Sequence, residues 1–332
     1  MFKSLTIENF SAFNQATFDF SKNINVFIGE NGTGKTHVMK LIYCLQSSSQ
    51  SEIDLRQKLE NVFCVKKGVS RLVRRTQGTN TCEIHLEERE RRKVSLIFDN
   101  TRANRFELFD NKRPNRELMS PVFIPVKEVL SFAPGFISLY DKYELAFEEI
   151  YYDIVKQAYL PTRKGIPLEN EVPLLELIRK IVGGRVKIVG DEFQLSSRGS
   201  NLEMVLVAEG HRKLALIWQL IHNGSLFRNN TLFWDEPEAN LNPSLMPEVA
   251  KILVMLAERG VQIFVSTHNY AFLKELEFAK KNTDIAFFSL EKNKENGVIV
   301  RKFDRYINIT PNKIAEEYRR IYQEEIKREL GG

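Results

Sequence analysis

The first twenty residues alternate apolar with polar positions: Phe2, Leu5, Ile7, Phe10, Phe13, Phe18 and Phe20 stand among polar neighbours. This predicts two short strands joined by a turn. Residues 24–28 are a short apolar run ending at a glycine, as a buried strand does, and 39–45 continue from the glycine-rich turn as a helix. Five β-like runs follow at 62–65, 71–75, 82–86, 94–98 and 106–109. Turn signals separate them, which predicts an antiparallel sheet. Residues 121–135 are punctuated by proline and read as irregular. Helical spacing of Leu, Ile, Tyr and Glu predicts a helix over 139–160 and a second over 173–182, before short strands at 186–189 and 193–195. From Gly210 the order is helix, strand (231–234), helix (245–259), strand (261–265), helix (272–280), strand (285–290). Such alternation implies a parallel sheet covered by helices. Residues 311–330 form a charged amphipathic helix, with Ile314, Tyr318, Ile321, Ile326 and Leu330 as its apolar positions. It is expected to pack on its own domain rather than to serve as a docking surface. No internal repeat and no sustained heptad run is found.

Composition narrows the class. Of 332 residues, 43% are hydrophobic and 27% charged, enough apolar material for a sizeable core, which excludes disordered and fibrous classes. Cys44, Cys64 and Cys82 are odd in number and lack CxxC spacing, against a disulfide framework or a zinc site. The polar N-terminus is no signal peptide, and no stretch approaches a membrane span, so a cytoplasmic protein without a membrane partner is expected. The net charge of +5 is uneven, because residues 56–116 alone carry +8. A cluster such as Lys66, Lys67, Arg71, Arg74 and Arg75 suits a phosphate backbone, and equally suits the solvated face of a β-rich lobe.

The sharpest chemical signal is GENGTGKT at 29–36, which fits GxxxxGK[ST] after a strand and before a helix. Its glycines let backbone N–H groups approach phosphates, and the helix N-terminus favours negative charge. Lys35 is expected on the β- and γ-phosphates of ATP, with Thr36 offering its hydroxyl to Mg²⁺. A second signal is the apolar run TLFW, which delivers Asp235 and Glu236 before Pro237. Asp235 is placed to hold Mg²⁺, and Glu236 to polarise an attacking water as general base. A third is His268, just past the strand at 261–265, where it is expected to sense the γ-phosphate.

Together these segments resemble the ABC-type ATPase heads of the SMC and RecF class, over nearly the whole chain. The resemblance implies an α/β fold: a P-loop ATPase head with a mostly parallel core sheet, an antiparallel β lobe and a helical lobe. It divides a single head into 1–135 (Walker A and antiparallel lobe), 136–209 (helical lobe and signature approach), 210–310 (signature helix, Walker B, D-loop, switch histidine) and 311–332 (C-terminal helix). It implies nucleotide contacts from Asn31, Gly32, Thr33, Gly34, Lys35 and Thr36, and from Asn240 in the D-loop. IENFSAF at 7–13 looks like the family's first strand, whose neighbourhood borders the adenine.

Two segments compete for the signature. LSSRG at 195–199 has suitable letters, but no amphipathic helix follows it promptly. AEGHRK at 208–213 opens the apolar helix LALIWQLI, and a signature acts by aiming a helix N-terminus at the partner's γ-phosphate. The second placement is adopted, with Gly210 acting in trans and Ala208 where the family usually has serine. No clear Q-loop glutamine is present in 123–131, where Lys127 and Glu128 are the substitutes offered.

Without a coiled-coil insertion or a fused nuclease pattern, the chain looks like the compact AAA-15/AAA-21-type ATPases found in bacterial anti-phage and abortive-infection systems. The implied activity is Mg²⁺-dependent ATP hydrolysis by a homodimer or higher oligomer that regulates a separate effector, a nuclease or toxin. The alternative is a RecF-like repair clamp that binds DNA through 56–116.

Overall fold

A computed structural model describes residues 1–47, 51–101, 105–111, 120–143, 145–162, 171–197, 199–227, 229–293 and 297–330. The chain opens with strands β1 (Phe2–Phe10), β2 (Phe13–Asp19) and β3 (Ile24–Gly29), then helices α1 (Lys35–Ser47) and α2 (Glu52–Val62). Strands β4 (Thr81–Glu88), β5 (Lys93–Asp99), β6 (Phe106–Asp110) and β7 (Val122–Ile124) follow. The helical lobe holds α3 (Phe136–Tyr143), α4 (Glu149–Ala158), α5 (Val172–Val182) and strands β8 (Arg185–Val189), β9 (Glu192–Ser197) and β10 (Ser200–Glu203). The last part runs α6 (Glu209–His222), β11 (Thr231–Asp235), α7 (Met246–Glu258), β12 (Gln262–Thr267), α8 (Tyr270–Ala279), β13 (Ile285–Asn293), β14 (Gly297–Phe303) and α9 (Lys313–Glu329).

One sheet carries β6-β5-β4-β1-β2-β14-β13-β3-β12-β11-β7 in that order, and a small antiparallel sheet carries β10-β9-β8. The five strands from β13 to β7 are mutually parallel, and the others pair antiparallel. The parallel core and the antiparallel lobe are therefore one continuous sheet. Period two sorts side chains onto its faces. Ile24, Val26, Ile263, Val265, Leu232 and Trp234 face one apolar core with α5 to α8, whereas Phe27, Phe264 and Phe233 face the other with α1 and α2. On that second face five rings run across five neighbouring strands. Phe123 and Phe233 lie 5.8 Å apart, Phe233 and Phe264 5.0 Å, Phe264 and Phe27 6.3 Å, and Phe27 and Phe288 5.5 Å, all stacked.

Several expectations are corrected. Residues 62–65 end α2 and the turn after it, and 71–75 begin inside a 3-10 turn at 69–72 and add a single bridge, Phe10 to Val73. α2 exists because Leu55, Leu59 and Val62 recur at i, i+4 and i+7 and are all buried, with Ser51 accepting from Asp54 N–H as N-cap. The stretch 121–135 is not wholly irregular, since Val122, Phe123 and Ile124 form the edge strand beside β11. The helix expected over 139–160 is two, because α3 ends at Tyr143 and α4 begins at Glu149. β10 pairs with β9 as a hairpin, which places 195–197 on a strand and Gly199 in a turn, not before a helix; Arg198 lies outside the described residues.

α9 meets the expectation of self-packing only at its start. Ile314 packs on the core, Tyr318 stacks on Tyr270 at 4.7 Å, and Lys313 pairs with Glu30 at 2.9 Å. Beyond them Ile321, Tyr322, Ile326 and Leu330 are exposed.

Part of the basic lobe's charge lies inside. The Arg92 side chain is 4% exposed and pairs with Glu88 at 2.8 Å and Asp110 at 2.7 Å, which ties the β4–β5 turn to β6. Lys58 on α2 pairs with Glu149 and Asp153 on α4, which joins the lobe to the helical part. Removing one partner of a buried pair leaves the other charge desolvated. Arg92→Ala is therefore expected to lower stability by about 3–5 kcal/mol in urea unfolding. A loss under about 1 kcal/mol would show that water reaches Glu88 and Asp110 at little cost.

Candidate functional site

The P-loop leaves β3 at Gly29, whose Cα faces β13 so closely that a Cβ would sit 2.3 Å from Leu290 O. Gly34 has φ +87° and packs under Phe13, where a Cβ would lie 2.7 Å from the ring. Only glycine fits both demands at Gly34. Thr33 is buried and its hydroxyl donates to Glu30 O at 2.9 Å, which fixes the curl of the loop. Asn31 O accepts from Lys292 Nζ at 2.8 Å, and that ammonium lies 3.2 Å from where a Cβ on Gly32 would be. Lys35 Nζ donates to Gly29 O at 2.8 Å and Glu30 O at 3.1 Å. Burial lowers its pKa, against the pull of Glu236, Asp235 and Glu238.

Asp235 stands at the end of β11, in register with Ser266 on β12. The Thr36 hydroxyl donates to its carboxylate at 3.0 and 3.2 Å, and the Ser266 hydroxyl donates to it as well. Burial raises the pKa of Asp235, while those two hydroxyls lower it. A buried carboxylate held by hydroxyls alone is short of a cation. Thr36 and Asp235 therefore fit a Mg²⁺ ligand set of hard oxygens. Glu236 comes next with φ +47°, a strained conformation for a residue with a side chain. Its N–H donates to Ser266 O at 3.0 Å, and its carboxylate meets His268 Nδ1 at 3.1 Å.

Lys35, Thr36 and Glu236 line a cavity of about 320 Å³ together with Ser11, Ala12, Asn31, Gly32, Gly34 and His37. Asp235 adjoins it through Thr36, and His268 lines a second cavity of about 380 Å³ that shares Asn31 with the first. Ser11 and Ala12 belong to the β1–β2 turn, so the segment 7–13 contributes two residues to this first lining. Ser11 hydrogen-bonds His37 Nδ1, and burial lowers the pKa of His37 to about 4.

The signature placement and the D-loop meet on one edge. Ala208 is the N-cap of α6 and supplies no side-chain acceptor to its first N–H groups. Gly210, in the first turn, is buried: a Cβ would lie 2.7 Å from Leu241 Cδ2 and 3.2 Å from Asn240 O. Asn240, itself at φ +61°, donates to Glu209 Oε1 at 2.8 Å. Neither Gly210 nor Asn240 lines the cavity at the loop 29–36. Glu128 does not face the phosphate loop; it pairs with Arg212 on α6 at 3.1 Å and accepts from Ser131. Lys127 is exposed in the bend that follows β7.

Sequence reading missed Ser266, His37, Lys213 and Glu238. Ser266 was legible as a hydroxyl closing an apolar strand two positions before His268. The others act through contacts that spacing does not encode.

A model for the family described as an AAA domain, putative AbiEii toxin of a type IV toxin–antitoxin system, matches residues 104–274, and an AAA ATPase domain model matches 1–126. The DNA replication and repair protein RecF of Streptococcus suis is 34% identical over 91 residues, 26% of this chain and 24% of that protein. RecF of Enterococcus faecalis is 29% identical over 94 residues, 28% and 25% of the two chains. The match thus spans about a quarter of these curated relatives. In fold, the chain is similar to the Pyrococcus furiosus Smc head domain bound to the C-terminal domain of ScpA, with a TM-score of 0.57 at 11% identity over 98% of this chain and 99% of that one. A second Smc head, bound to the C-winged helix domain of ScpA, gives a TM-score of 0.60 at 11% identity over 92% and 98%. With its P-loop, Asp235 and His268 on the ends of adjoining parallel strands, the chain belongs to the AAA family of putative AbiEii toxins, within the SMC/RecF-like ABC-type ATPases.

Proposed function

We propose that the chain binds ATP with Mg²⁺ and hydrolyses it as a head-to-tail pair. Each head lends the α6 N-terminus around Gly210, and Asn240 beside it, to the other's nucleotide, and the cycle controls a separate nuclease or toxin in anti-phage defence. The observation that carries the reading is that Lys35, Thr36 and Glu236 line one cavity, with Asp235 bonded to Thr36 and His268 set against Glu236.

The loop at 31–34 cradles the phosphates with its N–H groups. Lys35 leaves two loop carbonyls for the phosphate oxygens, and Thr36 with Asp235 holds Mg²⁺, which supplies charge neutralisation at the transferring phosphoryl group. Glu236, fixed by strain and by His268, takes a proton from the attacking water. His268 stands against the Glu236 carboxylate, where it is placed to sense the γ-phosphate. The uncapped α6 N-terminus brings unpaired N–H groups and its dipole to the partner's phosphate. Support for the effector role is the toxin–antitoxin description of the matching family.

Lys35→Ala is expected to weaken ATP binding roughly a hundredfold or more, since two charge-assisted hydrogen bonds vanish. Calorimetry showing unchanged affinity would remove Lys35 from the cradle. Glu236→Gln is expected to cut turnover by about 10²–10⁴ and to accumulate an ATP-dependent dimer in light scattering. A protein that stays monomeric with ATP after this change would refute the head-to-tail pairing. Capture from native cells with Glu236→Gln, read by mass spectrometry, is expected to bring down a stoichiometric nuclease or toxin.

A second reading, a RecF-like DNA clamp, is favoured by one observation. Lys66, Lys67, Arg71 and Arg75 are exposed on one short segment, and none forms an ion pair among the described residues. Arg74 is half-buried beside Gly297 and adds less. On this reading DNA affinity falls roughly a hundredfold between about 50 and 200 mM salt, for some four phosphate contacts. Arg71→Glu/Arg75→Glu then weakens binding of all sequences alike. Salt-insensitive or absent binding in an anisotropy titration decides against the clamp.

A further inference from the structure

Lys213 lies one turn into α6 and is 1% exposed. Its ammonium has three donors, and its hydrogen-bond partner is the carbonyl of Ala239, at 2.7 Å in the D-loop turn. Burial lowers its pKa, against the pull of Glu209, Glu238, Glu236 and Glu128. Glu238, one residue before Ala239, is 6% exposed. One of its oxygens accepts from Thr267 Oγ1 at 2.5 Å, next to His268, and the other is buried with no hydrogen-bond partner. An ammonium with unused donors and a carboxylate with an empty acceptor are thus both buried and attract each other, yet form no ion pair.

We propose that Lys213 is a positioning residue for hydrolysis: when the D-loop closes over bound nucleotide, Lys213 grips Glu238 and so fixes Thr267, His268 and the Glu236 turn. Half-satisfied buried charges are costly, so the closed arrangement that satisfies both is favoured once the D-loop is free to move. Glu236 and Glu238 belong to one turn, in which Ala239 N–H donates to Glu236 O. Holding Glu238 therefore holds the backbone that aims Glu236. Because Gly210 lies in the first turn of α6, the same lysine also ties the helix offered to a partner head to the hydrolytic end of its own site. This deepens the ATPase reading and rests on it.

The test is steady-state turnover and ATP affinity of Lys213→Met, Lys213→Arg, Glu238→Gln and the Lys213→Met/Glu238→Gln double variant. Methionine fills the lysine's volume without its charge, so the melting temperature is expected to hold or rise. The expected result is a kcat about tenfold lower for each of Lys213→Met and Glu238→Gln, the scale of coupling between contacting groups. KM and ATP affinity stay within twofold of wild type, Lys213→Arg recovers part of kcat, and the double variant is no slower than the slower single. Turnover of Lys213→Met within twofold of wild type overturns the proposal, as do multiplying effects in the double variant or equal losses in affinity and kcat. A wild-type protein without turnover would instead overturn the ATPase reading itself.

Discussion

The row of stacked phenylalanines across β7, β11, β12, β3 and β13 is the constraint on which the site depends. Aromatic rings on one face of a parallel sheet fix the register of neighbouring strands, because a slip of one residue would turn each ring to the other face. Pairing Phe233 with Phe123 and with Phe264, and Phe27 with Phe288, leaves the carboxyl ends of five strands at one level. Gly29, Asp235 and Thr267 with His268 all lie at that level, so residues nearly 240 apart in sequence meet around one site. The hydroxyl of Thr36 reaches Asp235 because the register allows it, not because either residue is locally ordered to do so.

Around that level, charge is buried with incomplete partners. Lys35 is satisfied by loop carbonyls, Asp235 by hydroxyls, Lys213 by one carbonyl, and Glu238 by one threonine. Neutral acceptors and donors hold such charges less well than an opposite charge does. An arriving anion with its divalent cation supplies what Lys35 and Asp235 lack, and loop closure supplies what Lys213 and Glu238 lack. The strained backbone at Glu236 and Asn240 lies in the same turn, which is consistent with a segment held for function rather than for its own stability.

What the sequence disclosed was what short range determines. The P-loop is legible because its glycines meet local demands, and the strand ahead of Asp235 because an apolar run flanked by turn residues has few other fates. Helix α2 was hidden by its charges: Leu55, Leu59 and Val62 are its only buried positions, so its buried stripe is narrow. β7 was hidden by brevity, three residues beside Pro121 and Pro125, and becomes a strand because β11 offers an edge. The role of Glu128 was misread for a related reason. Its sequence neighbours suggest a loop near phosphate, whereas Arg212, 84 positions later, claims its carboxylate.

The packing of Gly210 bears on how the two heads would meet. Its missing side chain is required within its own head, because Leu241 and Asn240 close over the first turn of α6. Loss of function on substituting this glycine would therefore not by itself show a contact in trans. The groups left facing outward are Ala208, which is exposed and cannot donate from its side chain, and Asn240, which is tied to Glu209. Recognition of a partner's phosphate would then rest on backbone N–H groups of an uncapped helix. Without a hydroxyl to share the task, the grip depends on how far the D-loop lets α6 advance, which puts the Lys213–Ala239 contact at the joint between pairing and hydrolysis.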